Sequence, residues 1–122
     1  MRIFFNHQAV IENRIIHTTS CDDAGDNCEY HIAEEPRLFG LTYRSMLRHI
    51  GRELQPYGIV VTLAAHRLTP ETEGLGWWQS NEHGMPISDV KRSWALLATD
   101  LCHGANVVSV GVGIAPYGLA PR

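Results

Sequence analysis

Between Leu38 and Leu68 the apolar positions change their period. Phe39, Tyr43, Met46, Leu47, Ile50 and Leu54 recur every three or four residues, which predicts an amphipathic helix over Leu38–Leu54. Pro56 and Gly58 stop it: proline cannot continue a helix, and glycine takes the turn geometry cheaply. Ile59–Ala65 is then an apolar run broken only by Thr62, which predicts a strand buried on both faces, as in parallel sheets. Helix, tight turn and buried strand together make half of a βαβ unit.

The flanking segments carry weaker patterns. Residues 3–12, with Phe4, Phe5, Gln8, Ala9 and Ile11, are expected to form a short helix, and Arg14–Ser20 a strand. Cys21–Glu29 is a polar, acidic loop. Glu71–Ile87 is a long loop whose Trp77 and Trp78 offer amphipathic surface, either a lid over a hydrophobic ligand or an anchor to the core and a partner. Ser88 and Asp89 have the chemistry of a helix start. Val90, Trp94, Leu97 and Leu101 supply the buried stripe of that last helix, Gly104 ends it, and Asn106–Gly113 is the last strand.

Size fits a single domain, 1–122, of α/β class. A net charge of −3 argues against a nucleic-acid partner, and no apolar run is long enough to span a membrane. The Arg44, Arg48 and Arg52 stripe is expected to be a solvated helix face, with an anionic ligand as the alternative. Three cysteines and no leader-like start point to a reducing, cytoplasmic setting. His17, Cys21, Cys28 and His31 could be imagined around zinc, but Cys-x6-Cys is not a usual spacing, and no metal is expected.

Gly40-Leu41-Thr42, followed by the run Arg52-Glu53-Leu54-Gln55-Pro56-Tyr57-Gly58-Ile59-Val60-Val61, resembles the short-chain dehydrogenase/reductase superfamily. The likeness covers most of the chain and corresponds to the C-terminal half of a typical member. It implies a Rossmann-like layer of about three parallel strands with flanking helices, lacking the nucleotide-binding half. Arg14–Ser20 resembles the family strand whose last serine holds the substrate oxygen, which would be Ser20, with Thr19 the near alternative. The family then places tyrosine and lysine four residues apart, the lysine lowering the phenol's pKa for proton transfer. Here Tyr30 is followed by Glu34, or, counted from Gly40, His31 by Glu35. A carboxylate beside a phenol moves the pKa upward instead. Pro36 suits a first helical turn, so the regular helix is expected to begin near Glu35. The family's Pro-Gly after the buried strand is replaced by Ala65-His66, with Thr69-Pro70 beyond. A G-x-x-x-G-x-G phosphate turn is absent from the sequence.

The resemblance therefore implies a degenerate relative without its own NAD(P)-dependent hydride transfer and without a bound cofactor. It would act as a small-molecule-binding or accessory subunit. An alternative is a cofactor-independent isomerase, cyclase or lyase. Tyr30, His31, Glu34 and Ser20 would be its catalytic groups, and His66, Trp77, Trp78 and His83 would line the substrate. A third possibility is a fragment of an ordinary oxidoreductase. A bare edge on the Ile15–Thr19 strand predicts a homo-oligomer or an intact family member as partner.

Overall fold

The computed structural model describes residues 1–17, 30, 32, 35–69, 77–101 and 107–111, with 66, 67, 77, 83 and 107–111 described by backbone alone. Its regular elements are β1 (Arg2–Asn6), α1 (His7–Glu12), α2 (Tyr43–Leu54), β2 (Val61–Arg67), α3 (Ile87–Leu101) and β3 (Val107–Gly111), with 3-10 turns at Pro36–Leu38, Gln55–Tyr57 and Trp77–His83. The fold is a mixed one of helices and strands. β2 lies between β1 and β3 and pairs with both in parallel, Leu63 facing Ile3 on one side and Val110 on the other. Val61, Leu63, Ala64 and Ala65 are all buried, so both faces of β2 are covered, as its unbroken apolar run requires. The strand starts two residues later than expected, and Val60 is left about half exposed at 49%.

The N-terminal segment differs from the expected single helix. Arg2–Asn6 is a strand whose aromatics alternate, Phe4 exposed at 52% and Phe5 buried at 2%. Asn6 ends it and caps α1, its Oδ1 accepting the Ala9 N–H at 2.6 Å. Asn13 then terminates α1 in the left-handed region, at φ 51°, which asparagine tolerates better than most side chains.

The expected strand over Arg14–Ser20 is not a member of the sheet among the described residues. Ile15 makes an isolated antiparallel bridge to Thr42, and the Ile16 N–H donates to the Leu41 carbonyl. The His17 N–H donates to Tyr30 O, and His17 O accepts from the Ile32 N–H. Positions 18–20 lie outside the described residues. β1 takes the place beside β2 instead, and buries Phe5 in the core.

α2 begins at Tyr43, not near Glu35. Gly40 at φ 80° breaks the backbone path, Pro36–Leu38 makes only a 3-10 turn, and Thr42 caps the helix by accepting the Ser45 N–H. Tyr43, Met46 and Leu47 are buried, with Ile50 and Leu54 packed beside them. Ser88 does not cap α3, because Ile87 is already helical. Asn81 Oδ1 accepts the Ile87 N–H at 2.9 Å, so the cap comes from the preceding 3-10 turn. Asp89 stands in the first turn as expected, and Val90, Leu97 and Leu101 are buried. Met85 anchors the loop before α3 in a second apolar cluster with Leu68 and Val90.

Candidate functional site

Tyr30 is the expected catalytic residue that the structure describes most fully. It is 2% exposed, and its hydroxyl donates to Glu12 Oε2 at 3.0 Å. The ring packs edge-to-face on Tyr43, centroids 5.7 Å apart, and the Arg14 guanidinium lies 5.6 Å from the ring centre. Arg14 Nε also meets the same Glu12 oxygen at 3.2 Å. Burial first, and then the hydrogen bond and charge of Glu12, hold the phenol well above its ordinary range, with Arg14 only partly opposing them. A group so placed keeps its proton at neutral pH. It can donate a hydrogen bond to a carboxylate, but it is a poor acid and supplies no phenolate.

Of the two expected lysine positions, Glu34 lies outside the described residues, and Glu35, four residues on from His31, is described. Glu35 is paired with Arg37, whose Nε donates at 2.8 Å and holds the carboxyl below its ordinary range. Ser20, Thr19, His31 and Glu34 lie outside the described residues. His66 sits near the C-terminal end of β2, and Trp77 and His83 are the first and last positions of a 3-10 turn, all three known by backbone alone. Trp78 is half-buried in the same turn. Glu12, Arg14 and Tyr43, which fix Tyr30, were not among the expected site residues.

A second polar cluster lies outside the expected site residues. At the C-terminal end of β1, His7 is 1% exposed, and its Nδ1 shares a 2.9 Å hydrogen bond with Ser93 Oγ, which α3 buries completely. Trp94 stands edge-on to His7 and Phe5, at 5.3 and 5.2 Å. Burial lowers the His7 pKa to about 4, so the ring is neutral at pH 7. The side-chain nitrogen of Asn6 and the hydroxyl of Ser80 are buried without a partner. An asparagine–histidine pair closing an apolar run was the available signal.

No protein-family model matches the chain, and neither the curated proteins nor the solved structures contain a match. Among the described residues no helix is long and apolar enough to cross a membrane, and no three His, Cys, Asp or Glu residues are grouped to hold a metal ion. Cys21, Cys28 and His31 lie outside the described residues.

Proposed function

We propose that this chain is a relative of the short-chain dehydrogenase/reductases that does not itself transfer hydride, and that it serves as a small-molecule-binding or accessory subunit. The observation that carries this reading is Tyr30. Its hydroxyl is engaged by Glu12, not activated by a lysine, and is pushed away from the phenolate the family's chemistry uses. The order α2, β2, α3, β3 agrees with the C-terminal part of a Rossmann-like layer, and the 122 residues contain no G-x-x-x-G-x-G turn. The partner is a second copy or an intact family member. Among the described residues β1 pairs on one side only, and this supports a subunit contact along its other side.

The test is the ultraviolet difference titration between the wild type and Tyr30→Phe. The expected difference between about pH 8 and 11 shows no phenolate signal from Tyr30, because an unperturbed tyrosine titrates near 10 and this one is held higher. The substitution is also expected to cost about 1–2 kcal/mol of stability, through the lost bond to Glu12. A Tyr30 phenolate forming below about pH 9 would mark an activated tyrosine and contradict the proposal.

A further inference from the structure

We propose that the cleft where α1 ends and α2 begins, closed on its third side by Asp100 of α3, binds a phosphate-class oxyanion. The cavity measures about 170 Å³ and is lined by Asn13, Thr42, Arg44, Ser45, Arg48 and Asp100, with no apolar side chain among them. At about 30 Å³ per liquid water it has room for a small oxyanion or several waters.

The side chains, not the helix backbone, make the site. The first N–H groups of α2 are already used: that of Tyr43 donates to Arg14 O, that of Arg44 to Asn13 Oδ1, and that of Ser45 to Thr42 Oγ1. What remains is side-chain donors. Arg44 is not the solvated residue its place in the stripe suggested. Its Nη1 donates to Asp100 at 2.8 Å, and its Nε is buried with no acceptor. Closed to solvent, that N–H is not itself a donor to the cleft, and what Arg44 brings there is its charge. Arg48, one turn on, is exposed and carries no ion pair among the described residues. Thr42 donates its hydroxyl to Ser45 Oγ, which leaves the Ser45 proton free. Two guanidinium groups face one carboxylate, so the lining is net positive with Asp100 already engaged. Arg44, Arg48 and Ser45 together present the fork and hydroxyl donors suited to a phosphate group.

Titration calorimetry with inorganic phosphate at low ionic strength tests this. The expected result is saturable uptake by the wild type, weakened about tenfold or more in Arg48→Gln, as loss of a charge-assisted bond implies. Ser45→Ala is expected to weaken it in the same direction. Arg52→Gln, which removes an exposed charge one further turn along α2, is expected to change affinity by no more than about twofold, the scale of a screened surface charge. Three results would overturn the assignment: no saturation in millimolar phosphate, equal losses in Arg48→Gln and Arg52→Gln, or acetate bound as tightly as phosphate.

Discussion

Leu63→Ala is expected to lower the unfolding free energy by about 2–5 kcal/mol, the usual cost of emptying a fully buried leucine site. Leu63 is 1% exposed at the middle of the central strand, with neighbouring strands on both sides. The cavity would open in the main apolar cluster, which Leu63 shares with Phe5, Val61 and Leu97. A domain of this size is stable by about 5–15 kcal/mol in all, so the loss is a large fraction. Val60→Ala on the same segment, 49% exposed, is expected to change stability by about 0.5 kcal/mol or less. Chemical denaturation of the two variants checks the contrast. Equal effects would mean that the strand is not buried as described.

The second large effect is expected on acidification. His7 titrates near 4 in the folded chain and near the ordinary 6.5 when unfolded. Above pH 6.5 the ring is neutral in both states and contributes no pH dependence. Between 6.5 and 4 the unfolded chain takes up the proton first, so stability falls with falling pH, by about 3 kcal/mol in total. Below 4 both states are protonated and the slope from this group ends. His7→Leu is expected to be less stable at pH 7, since it leaves Ser93 Oγ without its partner, but to lack this acid slope. Parallel stability curves for the two proteins between pH 7 and 4 would contradict the burial of His7.

The longest periodic segments were the most legible in sequence. Tyr43–Leu54 and Ile87–Leu101 each fill several helical turns, and the apolar run of β2 cannot be placed on a surface. The N-terminal segment was misread because it packs a five-residue strand and a six-residue helix into one stretch, each shorter than the window over which a period can be counted. Asn6, a good capping residue after an apolar run, marked the boundary. The site was less legible for a different reason. A search four residues on from Tyr30 finds Glu34, whereas the group that bonds its hydroxyl is Glu12, eighteen residues earlier. Arg44 looked solvated by its helical phase, yet its carboxylate partner is fifty-six residues away on another helix. Such pairings depend on how elements pack, and local spacing carries no record of them.

That packing leaves Tyr30 as a buried phenol serving the core, and the functional proposal depends on it. Calorimetric titration of the purified chain with NADPH tests most directly the central proposal, that the chain does not itself transfer hydride. The account predicts no tight uptake, only the weak binding, competed by inorganic phosphate, that the oxyanion cleft would give. Tight, one-to-one binding of NADPH would contradict it.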